Sequence, residues 1–139
     1  MTITLDILGE PEAQARPRVY RVGNRVHGHS PKTRWYYTVV QAATEAVANG
    51  AERVTGPARV RLDFRMRRIK SLPKRREIPH TKKPDCDNMA KACLDAMTPI
   101  LLADDNLVVE LVVTKRYALV GEVPGCRVEM EESDATVSD

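Results

Sequence analysis

The sequence has 139 residues, of which 42% are hydrophobic, 29% charged and 4% aromatic, and its net charge is +3. These values favour a single soluble domain with an aliphatic core. They argue against a membrane protein, because no apolar run approaches the roughly 20 residues that a transmembrane helix needs. Three cysteines without metal-ligand spacing, and a start unlike a signal peptide, favour the cytoplasm over a secreted, disulfide-rich protein.

The charge is unevenly distributed along the chain. Residues 1–83 contain 18 Lys and Arg against 7 Asp and Glu, whereas residues 84–139 contain 4 against 12. A basic half suits a polyanion such as DNA, and an acidic half suits a metal ion. Solvated faces of opposite sign are the alternative explanation of the same counts.

The first part of the chain predicts a strand, a hairpin and a helix. Residues 2–8 alternate between apolar and polar, as in a half-buried strand. Residues 18–28 have arginines on both sides of a Gly-Asn turn signal, which predicts a basic hairpin that either binds phosphates or is an ordinary exposed hairpin. A helix is predicted over 31–49, with Ser30 as its N-cap and Trp35 on its core side.

A strongly basic stretch follows this helix. Alternation over 58–66 predicts a half-buried strand whose exposed side is cationic, with Arg59, Arg61 and Arg65. Residues 67–84 combine three prolines with a dense run of Lys and Arg, which predicts a mobile loop rather than a helix or strand. Such a loop suits DNA phosphates when it adjoins a metal site, and a solvated loop without a partner is the alternative.

The candidate chemistry begins directly after this loop. Asp85 and Asp87 open a predicted amphipathic helix over 86–97. At about 100° per residue, Lys91 and Asp95 fall on the same arc of the helix as Asp87. The opposite side is apolar and can pack on a core. The polar arc therefore presents an acid, a base and an acid in a row.

Two further acids, Asp104 and Asp105, follow the helix after a short loop. Carboxylates gathered in this way repel one another unless a cation lies between them, and oxygen ligands favour Mg²⁺ or Mn²⁺. The structural alternative is that Asp85 or Asp87 caps the helix and that Lys91 pairs with Asp87. That alternative explains neither the second pair of acids nor the basic loop.

Other acidic motifs fit the sequence less well. An EF-hand counted from Asp85 needs glycine and glutamate at the positions where this chain has Ala90 and Ala96. A phosphatase of the aspartyl-phosphate type has its acidic pair after a buried apolar strand, but here the sequence Lys-Lys-Pro precedes the pair. A glycosyltransferase normally needs a longer chain.

The end of the chain predicts two strands and a tail. Residues 107–114 are rich in Leu and Val, which predicts a buried strand, and residues 126–131 alternate as in a final strand. The polar residues 132–139 predict a disordered tail. A single domain is therefore expected over 1–131.

The acidic segment contains a specific pattern. It reads Asp85-x-Asp87-Asn88-Met89-x-Lys91-x-x-Leu94-Asp95-Ala96-Met97, followed by Asp104-Asp105-x-x-Val108-Val109. This resembles the signature of RusA-type Holliday-junction resolvases, which is D-x-D-N-L-x-K-x-x-x-D-A-L followed by D-D-x-Q-V. The match is strong over 82–115. Met89 and Leu107 stand where the family commonly has Leu and Gln.

The resemblance implies an α+β fold, with a small mixed β-sheet and two main helices packed mainly on one face. It also implies a homodimer, which suits two matched nicks in a four-way junction. The implied activity is Mg²⁺-dependent hydrolysis of phosphodiester bonds in branched DNA during recombination and repair, with Mn²⁺ as an alternative ion. The family roles carry over to Asp85, Asp87 and Asp105 as metal ligands and to Lys91 as an essential base.

Basic residues of the hairpin, the strand and the loop are expected to bind the DNA backbone. They are Arg18, Arg21, Arg25, Arg65, Arg67, Arg68, Lys74, Arg75, Arg76, Lys82 and Lys83. Two alternatives remain open: a flap or branched-DNA nuclease of the same fold, and a non-catalytic DNA-binding protein in which the acids only cap and pair.

Overall fold

The computed structural model describes residues 2–14, 18–29, 31–74 and 76–133. The elements are, in order, β1 (Thr2–Leu8), β2 (Arg18–Val22), β3 (Arg25–His29), α1 (Arg34–Ala48), β4 (Ala58–Met66), α2 (Cys86–Met97), a short 3₁₀ helix (Asp105–Leu107), β5 (Val108–Tyr117) and β6 (Gly125–Glu132).

The centre of the fold is a mixed four-stranded sheet with the strand order β1-β6-β4-β5. Strand β6 lies antiparallel to both β1 and β4, whereas β5 lies parallel to β4 at one edge of the sheet. Strands β2 and β3 form the predicted hairpin, separate from this sheet. Gly23 permits the hairpin turn because it adopts a φ of 61°, which a side chain would disfavour.

The two helices cover one face of the sheet. Leu62 and Phe64 of β4 are buried there, since alternate side chains of a strand point to the same face. Trp35 of α1 lies in the same core, as predicted, and its Nε1 donates a hydrogen bond to Cys93 Sγ of α2 at 3.4 Å. The predicted α+β fold, a mixed sheet with two helices mainly on one face, is confirmed.

The opposite side of the sheet, called the open face below, is charged, and most of its charges are paired. The pairs are Arg59–Glu110, Arg61–Asp63, Arg65–Asp6, Arg116–Glu122 and Arg127–Glu129. Arg65 is only 8% exposed, and its Nη1 lies 2.8 Å from Asp6 Oδ1. The expectation that Arg65 presents a free cation on this face is therefore wrong, because Asp6 on β1 pairs with it and its guanidinium is largely enclosed.

Helix α1 begins later than predicted. Its N-cap is Thr33, whose hydroxyl accepts a hydrogen bond from the Tyr36 backbone N–H at 3.2 Å. The predicted start at residue 31 is wrong because Thr33 supplies the capping oxygen three residues beyond Ser30, which lies outside the described residues. Helix α2, in contrast, has the predicted bounds.

Strand β5 is not buried, although the Leu- and Val-rich sequence over 107–114 predicts burial. Val109 is 65% exposed and Leu111 is 43% exposed. The prediction is wrong because β5 lies at the edge of the sheet and pairs with only one other strand, β4. Apolar composition alone does not distinguish a buried central strand from an edge strand whose apolar side chains are exposed.

The basic loop over 67–84 contains no helix or strand among its described residues, as predicted. Its final part is nevertheless fixed to β5. The Tyr117 N–H donates to Ile78 O at 2.9 Å, and Lys115 Nζ donates to Pro84 O at 2.9 Å. These bonds hold the start of α2 beside the C-terminal end of β5.

Strand β6 confirms the predicted final strand and extends to Glu132, the first residue that the sequence assigns to a tail. Ser133 is also held, since its N–H donates to Pro57 O at 2.8 Å. The rest of the predicted tail, 134–139, lies outside the described residues. Over the described ranges, neither α1 nor α2 is long and apolar enough to cross a membrane.

Candidate active site

The first turn of α2 presents two free acids. Asp85 is the N-cap residue, and its backbone O accepts a hydrogen bond from the Met89 N–H at 3.1 Å. Its carboxylate, however, makes no capping hydrogen bond. Asp87 lies in the same turn, and both acids are exposed. The structural alternative in which Asp85 acts through a side-chain cap is therefore wrong, and its carboxylate is available to a ligand.

The position of these acids suits a hard cation. The first backbone N–H groups of a helix have no partner within the helix and create a partial positive charge. Two carboxylates at that end are stabilised by this charge. Asp85 and Asp87 also supply only oxygen ligands, which Mg²⁺ and Mn²⁺ prefer. The donor chemistry thus fits the ion that the sequence predicts.

The polar side of α2 continues from Asp87 to Lys91 and Asp95. Lys91 is exposed and, within the described ranges, forms no ion pair with Asp87 or any other acid. Asp95 accepts a hydrogen bond from Gln14 Nε2 at 3.0 Å, which ties α2 to the segment after β1. The predicted amphipathic pattern is confirmed, and the ammonium of Lys91 is available to a phosphate.

The second pair of acids, Asp104 and Asp105, divides into one capping residue and one free residue. Asp104 is the N-cap of the 3₁₀ helix, and its Oδ1 accepts a hydrogen bond from the Asn106 N–H at 2.9 Å. Asp105 is exposed, and no residue in the described part of the chain hydrogen-bonds to its carboxylate. Asp105 is therefore the more available ligand of the two.

The two pairs of acids lie at opposite ends of β5. Lys115, near the C-terminal end of β5, holds Pro84, which directly precedes Asp85. Asp105 opens the 3₁₀ helix that leads into the N-terminal end of the same strand. Strand β5 has 10 residues, and at about 3.3 Å per residue they span roughly 33 Å. The acids of α2 and Asp105 are thus separated by much of the length of the sheet.

The expected convergence of Asp85, Asp87 and Asp105 is consequently not found within one chain. Among residues 2–14, 18–29, 31–74 and 76–133, no three His, Cys, Asp or Glu side chains lie close enough together to hold a metal ion. One chain supplies the pair Asp85 and Asp87 at one place and Asp105 at another.

His80 and Lys115 are two residues near α2 that no motif in the sequence identifies. The His80 ring packs against Tyr117 with 4.6 Å between ring centroids, and the backbone N–H of His80 donates to Lys115 O at 3.3 Å. Burial, and then the charge of Lys115, lowers the pKa of His80. Its Nδ1 is buried and has no hydrogen-bond partner in the described part of the chain. A single histidine in a basic loop gives no sequence signal for this environment.

The predicted DNA-binding residues differ in their exposure and in whether their side chains already have a partner. Exposed side chains belong to Arg21, Arg25, Arg67, Lys74, Arg76, Lys82 and Lys83. Arg68 is half-buried and donates to Ala118 O at 3.1 Å, and Arg65 is paired with Asp6. The side chain of Arg18 and all of Arg75 lie outside the described residues.

Free acids at the start of a helix suit a divalent metal ion, and the adjoining basic loop suits the phosphates of a nucleic acid. A family model described as "Endodeoxyribonuclease RusA" matches residues 9–131. A protein of Bacillus subtilis (strain 168) described as "Uncharacterized protein YqaN" is 31% identical over 144 residues, which cover 96% of this chain and 98% of that protein. The chain belongs to the RusA endodeoxyribonuclease family, and the resemblance of its acidic segment is confirmed.

Proposed function

We propose that this protein is a Mg²⁺-dependent, structure-selective endodeoxyribonuclease that resolves Holliday junctions in the cytoplasm during recombination and repair. The observation that carries the proposal is the pair of uncommitted carboxylates, Asp85 and Asp87, at the start of α2. They adjoin a basic loop in a chain of the RusA endodeoxyribonuclease family. Within the described residues Asp85 makes no side-chain capping hydrogen bond and neither acid forms an ion pair, so both carboxylates are available for chemistry.

In this proposal Asp85 and Asp87 would hold the metal ion, and Asp105 would be a further ligand supplied by another copy of the chain, because the three acids do not meet within the described part of one chain. The bound ion supplies an activated water and a Lewis acid for the scissile phosphate. Lys91 lies one turn beyond Asp87, on the same exposed side of α2, and its ammonium contacts a phosphate oxygen. That contact offsets negative charge as it develops during hydrolysis.

The exposed cations of the hairpin and the basic loop hold the DNA backbone on either side of the cleaved bond. Arg21 and Arg25 extend from β2 and β3, and Lys82 and Lys83 directly precede the acids. Phosphate contacts of this kind position the DNA without reading its sequence. A homodimer supplies two equivalent sites for the two nicks that a four-way junction requires.

The test compares a four-way junction, a flap and a linear duplex that share their arm sequences. We expect paired nicks in the junction with Mg²⁺ and none with EDTA. Preferential cleavage of the flap would favour the flap nuclease. Tight binding without cleavage of any branched DNA, with Mg²⁺ or Mn²⁺, would show the non-catalytic DNA-binding protein instead.

The Asp87→Asn variant is the matched control for this assay. It should cleave at least about 100-fold more slowly, because even residues that only orient a metal ligand cost 10–100-fold when mutated. Junction binding should be retained, since removal of a carboxylate reduces the repulsion of phosphate. Full nuclease activity in this variant would contradict the role assigned to Asp87.

A further inference from the structure

We propose that the hairpin of β2 and β3 is a binding site for an unpaired base, and that a base of branched DNA stacks on the ring of Tyr20. The base is one that becomes unpaired at the branch point, where strands pass from one arm to the next. This inference rests on the proposed nuclease function and deepens it by naming the contact that distinguishes branched DNA from a linear duplex.

Phosphate contacts alone do not explain selectivity for branched DNA. The exposed cations Arg21, Lys82 and Lys83 suit the backbone of any DNA, because a duplex and a junction have the same phosphates. Bases inside a duplex are paired and stacked on both sides, whereas a branch point interrupts the stack. A side chain that stacks on an accessible base therefore distinguishes the two substrates.

The hairpin carries a stacked aromatic pair. Tyr20 of β2 and His27 of β3 lie directly opposite each other. Their ring centroids are 5.4 Å apart and their ring planes differ by 21°. Tyr20 nevertheless remains 52% exposed, so the ring face turned away from His27 is open to a ligand. Because His27 already restricts the Tyr20 ring, a base that extends the stack costs little further side-chain entropy.

The charge of the hairpin is complementary to DNA. Residues 18–29 contain three arginines and no acid. Arg25 lies opposite Val22, two positions along each strand from the aromatic pair, so its side chain lies on the same face as Tyr20 and His27. Arg25 is exposed and forms no ion pair within the described residues. Proteins that bind single-stranded nucleic acid combine stacking rings with cations in this way.

The described part of the chain leaves both faces of the hairpin uncovered. Strands β2 and β3 pair only with each other, and every side chain over 19–28 is exposed. Val22, beside Tyr20, is 60% exposed, and Val19 on the opposite face is 70% exposed. A two-stranded hairpin on its own is at best marginally stable in water, so a ligand that covers one face also stabilises the hairpin.

The hairpin is attached beside the helix that carries the candidate metal ligands. Before the hairpin, Gln14 Nε2 donates to Asp95 Oδ2 of α2 at 3.0 Å. After it, Trp35 in the first turn of α1 donates to Cys93 Sγ of α2 at 3.4 Å. Asp95 is eight residues beyond Asp87, or about 12 Å along the helix. The hairpin therefore starts and ends close to a DNA strand held at Asp87.

The first test locates the contact without measuring activity. In a four-way junction, 5-iododeoxyuridine, which cross-links to aromatic side chains under ultraviolet light, replaces one thymidine at the branch point or in the middle of an arm. The full-length Asp87→Asn variant keeps the DNA uncut. Mass spectrometry should find cross-links to Tyr20 or His27 from the branch-point base and not from the arm. Equal yields from both positions, or no cross-link to the hairpin, would overturn the proposal.

The second test separates stacking from a role in holding the hairpin together. Tyr20→Ala should weaken junction binding by about 10-fold, as expected for one stacked base, and duplex binding by less than about twofold. Tyr20→Phe keeps the ring and should bind the junction as the wild type does. An equal loss for junction and duplex would contradict the base site, because a disrupted hairpin loses its phosphate contacts to both DNAs.

Tyr37→Ala is the matched control. Tyr37 is an exposed tyrosine of α1, 61% against 52% for Tyr20, and its loss should leave binding of both DNAs unchanged. A second copy of the chain is the other candidate occupant of the hairpin face. Sedimentation of the wild type and Tyr20→Ala should show the same oligomeric state, and a dimer formed only by the wild type would overturn the base site.

Failure of the proposed function gives a different result from failure of this inference. A wild type that cross-links through Tyr20 but cuts no branched DNA with Mg²⁺ or Mn²⁺ retains the base site and contradicts the nuclease. A wild type that cuts junctions while Tyr20→Ala binds and cuts them equally well retains the nuclease and contradicts the base site.

Discussion

Lys91 is exposed on α2 and forms no ion pair with the acids of the described ranges, so its replacement removes little that stabilises the fold. Lys91→Ala should lower junction cleavage by at least about 100-fold through lost stabilisation of developing charge. It should change the free energy of unfolding by less than about 0.5 kcal/mol. Cleavage rates and thermal melts on the same preparation measure both. A collapse of the melting temperature would show that Lys91 has a structural role.

The neighbouring residues Asp104 and Asp105 provide a matched pair of variants. Asparagine is also a good N-cap, so Asp104→Asn should keep the bond to the Asn106 N–H and retain cleavage within about threefold. Asp105→Asn should lose at least about 100-fold, as expected of a metal ligand. Rates measured at saturating Mg²⁺ make the comparison. The opposite order of the two rates would show that Asp104 is the ligand.

At the scale of the element, a charge pair joins the C-terminal end of β5 to the turn that follows it. Arg116 Nη1 and Nη2 lie 2.6 Å and 3.1 Å from the two carboxylate oxygens of Glu122. The hydrogen bond from Arg116 lowers the pKa of Glu122 from 4.5 to about 2, although partial burial opposes this shift. A carboxyl group with a lowered pKa in the folded state stabilises that state above its ordinary pKa. This stabilisation is lost as the pH falls towards the lowered value.

Glu122→Gln should therefore destabilise the protein by roughly 1 kcal/mol near neutral pH, as expected for a well-aligned pair that is partly exposed. The difference from the wild type should disappear as the pH falls from 4.5 to about 2, because the wild-type carboxyl group then becomes protonated. Urea unfolding of both proteins across this range tests the prediction. A difference that persists at the acidic limit would contradict the role of the charge pair.

Elements with a strong local signal are predictable from this sequence, whereas burial set by distant neighbours is not. Alternation identified β4, and the amphipathic arc identified α2 with its bounds. For β5, whether a second strand covers it depends on the order of strands in the sheet. For α1, the sequence has two hydroxyl residues three positions apart, Ser30 and Thr33, and Thr33 supplied the cap.

The candidate site also has a part that the sequence predicts and a part that it does not. Asp85, Asp87 and Lys91 belong to one helix, so the helical repeat alone predicts that they lie together. The position of Asp105 depends on the path of the chain from 98 to 107 and on the direction of β5. No spacing in the sequence reveals that direction, and within the described part of one chain the three acids form no group that could hold a metal ion.

At the scale of the whole molecule, the salt dependence of DNA binding should distinguish free arginines from paired ones. Arg21 and Arg25 are exposed on the hairpin, and no acid in the described ranges pairs with them. The double variant Arg21→Ala/Arg25→Ala should lower the slope of log K against log salt by about 2, since each lost phosphate contact removes about 0.9. Titrations of a labelled junction at several salt concentrations measure this slope.

The control for this prediction is Arg59→Ala/Arg61→Ala. These two arginines lie on the open face and already pair with Glu110 and Asp63. Their loss should leave the slope unchanged within about 0.3. An equal fall of the slope in both double variants would show that the open face also contacts DNA.

The ion pairs of the open face affect how strongly this face attracts DNA. When two opposite charges lie a few ångströms apart, their combined electrostatic potential decreases within about 8 Å at physiological ionic strength. We therefore expect this face to attract a passing duplex less than the hairpin does. The rate of capture should thus follow the uncompensated cations rather than the net charge of +3.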